Sequence, residues 1–325
     1  MYSYLATPRA TCEVLARYGL ATKKSLGQHF LINDAIIGKI LNRAEVAPGE
    51  IILEVGPGIG TLTVGLLQAG AHVIAIERDK DLLPVLNETT AVCINQFSSN
   101  ETSFVLPRFA YIGADALSVT RDQLGAICDE AGVSSLPFKL VANLPYGVAA
   151  TVVLEYFQRF DFLKEATVMV QTEVAERMMA SPGSKEYGAY TVKLSLYTTV
   201  AGSFKVAPTN FLPPPHVGST VISLKRRSAC FDDIESQRCP SEDLLAAACL
   251  MADAAFTQRR KTIRNSMMGY WANNPQTLQR IPGIDVAELV DTILERAGIT
   301  ATLRGERLEV GEYLALGRAF LDLTK

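Results

Sequence analysis

The residues best suited to chemistry stand where apolar runs end. "ILEVGPGIGTLT" is a strand-like run that breaks into Gly56-Pro57-Gly58-Ile59-Gly60 ahead of a helix-like segment. Glycines at such a turn let the backbone come close to a ligand and aim amide hydrogens at it. The spacing is G-x-G-x-G, which differs from the G-x-G-x-x-G of a dinucleotide site. Glu77 ends the next run, "HVIAIE", where a carboxylate can accept both hydroxyls of a ribose. A Gly-rich turn with an acid at the following strand end fits NAD, FAD or S-adenosylmethionine. Asp115 in "YIGADAL" falls at the end of a third run, where it can bond an adenine amino group or cap the next turn. Asn143 ends a fourth run, and Asn143-Leu144-Pro145-Tyr146 follows where a buried strand should meet solvent. Asn and Pro favour turns, so each site alone reads as turn chemistry. Four successive strand ends carrying Gly56, Glu77, Asp115 and Asn143 read instead as one crevice at the carboxyl edge of a sheet.

The elements that must position these residues are seven strand-like runs: "IILEV", "HVIAI", "RFAYI", "FKLVA", "ATVMV", a run near "TTVAGSF", and "STVISL". Helix-like segments separate them from residue 51 onward, the pattern of an α/β fold with a mainly parallel sheet. The last two, joined by the Pro-rich "APTNFLPPPHVG", suit an antiparallel pair at the sheet edge. Residues 87–110 are a long polar interval, part of it expected as an inserted surface loop. "RRSACFDDIESQRCPS" reads as a linker, which divides the chain into a catalytic part at 1–227, a linker at 228–241 and a small all-α domain at 242–325. In that last part, "SEDLLAAACLMADAAF" opens on an N-cap Ser and is almost wholly apolar, so a well-buried helix is expected. "DVAELVDTILERAG" starts at Asp285 and stops at Gly298, with Val286, Leu289, Val290, Ile293 and Leu294 on one face. A final helix is expected from about 309 to 322.

Of the 325 residues, 48% are hydrophobic and 20% charged, the balance of a soluble globular protein with a sizeable core. The longest apolar stretches are strand-sized, far below the roughly 20 residues of a membrane span. The N-terminus carries Arg9 and Glu13 and no apolar centre, so it does not read as a secretory signal and a cytoplasmic location is expected. Six scattered cysteines without C-x-x-C spacing suggest neither a disulfide framework nor a metal site. A net charge of −3 excludes a uniformly basic surface, yet it hides clusters. Arg259, Arg260, Lys261 and Arg264 stand together in "TQRRKTIR", with "LKRR" at 224–227 and Lys23-Lys24 elsewhere. Such a run is most often a solvated face.

The chain resembles the rRNA adenine N6,N6-dimethyltransferases of the KsgA/RsmA type. The motifs that carry the likeness are "LGQHFL", "EVGPGIGTLT", "IERD", "GADAL", "NLPY", "FLPPPHVGSTV" and "AFTQRRKTIRNSM", and they run from "KKSLGQHFL" at residue 23 to the C-terminal helices. Their order makes the likeness specific, because N-L-P-Y combined with F-x-P-x-P-x-V-x-S is not shared with methyltransferases at large. The resemblance implies a Rossmann-like, seven-stranded S-adenosylmethionine-dependent domain with a small C-terminal helical domain. It implies a substrate of two adjacent adenosines in the 3′-terminal stem-loop of 16S rRNA in the small ribosomal subunit. Carried over by motif, the cofactor contacts fall on His29, Leu31, Gly56, Glu77, Asp115 and Asn143, with Gly58 and Gly60 completing the turn. Position 29 is Asn in many members, and His can donate one hydrogen bond to a methionyl carboxylate. The interval from Glu77 to Asp115 is longer than the family usually shows.

That resemblance gives the strand-end motif a task. Adenine N6 is a poor nucleophile because its lone pair is delocalised, so acceptors that favour its pyramidal form assist attack. The Asn143 side-chain oxygen and the Leu144 carbonyl can be those acceptors, with Pro145 restricting the residue before it. Tyr146 can stack on an extruded base, and Phe211 is the candidate for the opposite face, with a core or loop anchor as its other reading. Lys23, Lys24, Arg259, Arg260, Lys261 and Arg264 would meet RNA phosphates. No metal and no membrane partner are expected, and a monomer is the default. Three alternatives stay open: a relative acting on large-subunit rRNA, a ribosome-assembly checkpoint with secondary methylation, and a nicotinamide-dependent dehydrogenase, which the glycine spacing disfavours.

Overall fold

The computed structural model describes residues 1–20, 28–97, 109–132, 135–227, 240–275 and 285–324. It divides into two compact units, one of residues 1–175 and 200–226, the other of residues 176–199 and 227–325.

In the first unit, α1 (Pro8–Arg17) precedes the two-residue strand β1 (Phe30–Leu31) and α2 (Asp34–Arg43). Then follow β2 (Ile51–Val55), α3 (Thr61–Gln68), β3 (His72–Ile76), α4 (Leu83–Phe97), β4 (Phe109–Ile112), α5 (Arg121–Glu130), β5 (Lys139–Asn143), α6 (Ala149–Arg159) and β6 (Glu165–Gln171). All five residues of β2 and of β3 are buried, the near-continuous apolar run that a parallel strand covered on both faces requires. The chain continues through α7 (Thr172–Met178), α8 (Ala189–Tyr197), β7 (Thr198–Val206), β8 (Phe211–Leu212) and β9 (Ser219–Arg226).

Seven strands form one sheet in the order β4-β3-β2-β5-β6-β9-β7. β2 through β6 run parallel, and β9 is antiparallel to β6, with Glu165 opposite Lys225 and Gln171 opposite Ser219. The sixth and seventh expected strands are neighbours at one edge. Strand order reverses between β2 and β5, so the turn after β2 and the end of β5 flank the crevice where open α/β sheets bind ligands. Outside this sheet β1 pairs antiparallel with β8, Phe30 opposite Leu212 and Leu31 opposite Phe211.

The polar interval after β3 is helical over its first part, where α4 continues to Phe97. Thr89 and Thr90 are buried, and their hydroxyls donate to the carbonyls of Val85 and Leu86, which lets a polar sequence stay helical on a buried face. Residues 98–108 lie outside the described residues.

The second unit holds α8 with α9 (Glu242–Phe256), α10 (Ile263–Asn273), α11 (Val286–Arg296) and α12 (Val310–Leu323). Residues 176–199 therefore group with the helices and not with the 1–227 part in which the sequence reading placed them, while a division remains between 226 and 227. The reason is packing, since Tyr187 and Val192 are buried in the same cluster as Met251, Trp271, Leu289 and Phe320. The expected linker, 228–241, lies outside the described residues except for its last two positions. Ser241 caps α9 by accepting from Leu244 N–H, and Asp285 caps α11, which buries Leu289, Val290, Ile293 and Leu294. At Gly317 a Cβ would stand 2.7 Å from the Ala248 nitrogen, so α12 lies on α9 at a distance that only glycine at this position allows.

Candidate active site

A cavity of about 350 Å³ opens at the carboxyl ends of β2, β3 and β5. Gly56 and Gly58 from the turn after β2 line it. Gly56 has φ +69, and a Cβ there would stand 3.1 Å from Cδ of Pro145, so the glycine turn lies against the strand-end motif where a side chain would be strained and would press on the proline ring. Gly60 caps α3 instead and does not line the cavity.

Glu77, 7% exposed, lines the cavity at the end of β3. Its two oxygens accept from Gly58 N–H at 3.3 Å and Asp79 N–H at 2.8 Å, which ties the acid to the glycine turn and leaves lone pairs free. Burial raises its pKa, and these backbone donors act against the rise. Asp115 follows β4, and its capping reading holds. One oxygen caps the next turn at 3.0 Å from Leu117 N, the other lies 3.2 Å from Nη1 of Arg78, and the residue lines the cavity.

Asn143, Leu144, Pro145 and Tyr146 line the cavity from the end of β5. Asn143 Nδ2 donates to the His29 carbonyl at 3.3 Å. A carbonyl only accepts, so the amide nitrogen faces it and Oδ1 is left as an acceptor. The turn closes with Val148 N–H donating to the Pro145 carbonyl at 3.1 Å, and Leu144 N–H donates to Met169. The Tyr146 hydroxyl lies 2.6 Å from Ser219 Oγ, and its ring stacks on His29 with centroids 5.6 Å apart at 27°. His29 and Leu31 also line the cavity, from the segment that carries β1.

Phe211 is corrected. It is 2% exposed, packs in the core cluster with Phe30, Leu31 and Val221, and does not line the cavity, because its pairing in β8 turns it into the core. Arg259 and Arg264 are held by neighbours within the helical unit. Arg259 pairs with Glu306 at 3.2 Å and donates to the carbonyl of Lys185, and Arg264 makes a two-point pair with Asp291 at 2.5 and 2.8 Å. Arg260 and Lys261 are exposed. Lys23 and Lys24 lie outside the described residues.

Sequence reasoning missed Glu54, Thr61 and Arg78, all of which line the cavity. Glu54 is 1% exposed, accepts from Thr63 Oγ1 at 2.7 Å, and has its pKa pushed up to about 8, first by burial and then by the nearby Glu77. Its signal was available, as an acid inside "IILEV" immediately before the glycines.

The ends of β2, β3 and β5 and the turn after β4 thus meet at one cavity that presents two buried carboxyls and a fixed amide. Residues 19–295 match the ribosomal RNA adenine dimethylase family. The chain belongs to that family. Among curated proteins similar to this dimethylase, the ribosomal RNA small subunit methyltransferase A of Lachnoclostridium phytofermentans is 34% identical, over 97% of each chain. The protein of the same name from Natranaerobius thermophilus is 35% identical over 99% of each. Of solved structures, a dimethyladenosine transferase from Plasmodium falciparum superposes with a TM-score of 0.65 at 24% identity, covering 89% of this chain and 96% of that one. The 23S rRNA methyltransferase ErmE gives 0.58 at 22%, covering 90% and 99%. These likenesses establish the fold, a Rossmann-like methyltransferase sheet with a helical C-terminal region. Among the described residues no helix is long and apolar enough to cross a membrane, and no cluster of His, Cys, Asp and Glu could hold a metal ion.

Proposed function

We propose that this dimethylase acts on small-subunit rRNA, transferring methyl groups from S-adenosylmethionine to N6 of two adjacent adenosines in the 3′-terminal stem-loop, and so serves subunit biogenesis as a cytoplasmic monomer. The observation that carries the reading is the Asn143 amide, held by the His29 carbonyl so that its oxygen stands as an acceptor beside Tyr146 in the same cavity as Glu77 and Asp115. Near full-length similarity to small-subunit enzymes supports that choice of substrate over large-subunit rRNA.

The residues fit the cofactor. Gly56 and Gly58 keep a backbone cradle that a Cβ would fill, Glu77 keeps free lone pairs for ribose hydroxyls, and Asp115 can take an adenine amino group. Bound there, the sulfonium supplies an electrophilic methyl group. Asn143 Oδ1 and the Leu144 carbonyl accept the N6 hydrogens, which favours the pyramidal nitrogen whose lone pair attacks. Pro145 holds the backbone of Leu144 extended, so its carbonyl is fixed before the base arrives. Tyr146, anchored by Ser219, offers the ring on which an extruded base stacks. No side chain need act as a strong base, because N6 becomes acidic once it carries positive charge and its proton passes to solvent. Arg260 and Lys261 contribute phosphate contacts that orient structured RNA.

The test is methyl transfer to unmethylated small subunits with mapping of the modified bases. The expected product is N6,N6-dimethyladenosine at two adjacent positions. Activity confined to large-subunit RNA overturns the reading.

A further inference from the structure

We infer that His29 is a positioning residue for the target adenine, acting through the ring of Tyr146 and the amide of Asn143. The inference rests on the reading that the extruded base docks on Tyr146. His29 is engaged at three separate points. Nδ1 lies 2.8 Å from the Pro213 carbonyl, the His29 carbonyl accepts from Asn143 Nδ2 at 3.3 Å, and the imidazole stacks on Tyr146 at 5.6 Å. The backbone that carries it is itself clasped. β1 pairs with β8, Ile32 N–H donates to the Asn210 carbonyl at 2.9 Å, and Asn33 Nδ2 donates to Asn210 Oδ1 at 2.7 Å.

Two consequences follow from donor and acceptor chemistry. The Pro213 carbonyl can only accept, so Nδ1 carries the hydrogen and spends it there. That hydrogen is then spent away from a methionyl carboxylate, so Nδ1 does not serve the cofactor contact that the family motif places at this position. What the side chain offers beside that bond is its ring, stacked on Tyr146. A base sandwiched between two rings needs a contact of ~3.5 Å on each side, or about 7 Å between their centres. The 5.6 Å between His29 and Tyr146 is too short for that. His29 therefore backs one face of Tyr146 and leaves the other to the adenine. With Phe211 buried in the core, the second aromatic group of the base platform comes from the N-terminal segment.

Three variants separate the parts. His29→Phe keeps a ring and loses the Nδ1 donor, His29→Asn keeps a donor and loses the ring, and His29→Ala loses both. Each is assayed for kcat on unmethylated small subunits, for equilibrium binding of S-adenosylmethionine, and for the fluorescence change of a stem-loop RNA carrying 2-aminopurine at the target position. The expected result for His29→Ala and His29→Asn is a loss of about tenfold in kcat with a reduced fluorescence change, while cofactor affinity stays within threefold. His29→Phe recovers most of both signals. Weakened cofactor binding with an unaltered fluorescence change overturns the inference, as does recovery by Asn and not by Phe. If His29→Ala fails to fold, the Phe and Asn pair still decides. Absence of any fluorescence change with the wild-type protein would instead sink the underlying docking reading.

Discussion

Asn143→Ala isolates the acceptor on which the proposed chemistry depends. In the structure Nδ2 is committed to the His29 carbonyl at 3.3 Å, so Oδ1 needs no reorientation when charge develops on N6. Removing one preorganised group of this kind costs about 2.7–4 kcal/mol of transition-state stabilisation, a factor of roughly 10² to 10³ in rate. Truncation also deprives the His29 carbonyl of this donor, about 1–3 kcal/mol that appears as lost thermal stability rather than lost turnover. Asn143→Asp provides the contrast. It keeps an oxygen where N6 must be bound but places a second acceptor against the His29 carbonyl, so the side chain is no longer held. Its rate should fall between those of Ala and wild type. The assay is single-turnover methyl transfer to unmethylated small subunits, with RNA affinity measured in parallel by filter binding. The expected outcome for Asn143→Ala is a loss of at least ~100-fold in rate with RNA affinity changed less than twofold. A variant that keeps its rate within a few fold, or loses rate only in proportion to RNA binding, refutes the acceptor role.

Further predictions follow from the cavity wall and the helical unit. Glu54 has its pKa raised from 4.5 to about 8 by burial, so its neutral form is the one the fold favours: its contribution is fully present below pH ~4.5 and is lost as pH rises through about 8. At ~1.4 kcal/mol per pH unit the loss is roughly 5 kcal/mol as an upper bound, and Glu54→Gln should flatten the fall in Tm between pH 5 and 9; an unchanged pH profile refutes it. Gly56→Ala places a Cβ 3.1 Å from Pro145 at φ +69 and should weaken cofactor binding and turnover at least about tenfold, whereas Gly125→Ala, in α5 with open space around it, should stabilise by ~0.5–1 kcal/mol without effect on activity. Replacing Arg260 and Lys261 together by Ala should lower the salt dependence of RNA binding by about two units of log–log slope, while Arg264→Ala, whose guanidinium is already paired with Asp291, should change it by less than about one.

What could be read in advance, and what could not, divides along sequence distance. The strands were legible because parallel strands covered on both faces must be apolar throughout, and "IILEV" and "HVIAI" contain little else. Since such strands end at one edge, Gly56, Glu77, Asp115 and Asn143 could be assigned to one crevice from their order alone. The caps at Ser241 and Asp285 were legible for a similar reason, as each needs only a side chain and the amides within three residues of it. Phe211 was not, because an aromatic residue in a Pro-rich loop carries no mark of whether it packs inward. Two-residue pairing with Leu31, far away in the chain, decides that. The grouping of residues 176–199 with the helices has the same character, since it rests on Tyr187 and Val192 packing against distant α9 to α12.

The clasp on His29 shows why this division matters for mechanism. The types of residue needed to hold an adenine are present in Asn143 to Tyr146 as a local motif, but their orientation is not. The amide is turned by a carbonyl 114 residues earlier, and the imidazole behind Tyr146 is fixed by a carbonyl 184 residues from it. A motif of four residues can therefore specify the chemistry while leaving its efficiency to contacts that bring together the beginning and the end of the catalytic unit. Substitutions at Asn210, whose side chain and carbonyl hold Asn33 and Ile32, should then act on turnover through His29 although Asn210 does not line the cavity. Asn210→Ala with unchanged kcat and an unchanged 2-aminopurine signal would separate the clasp from the chemistry.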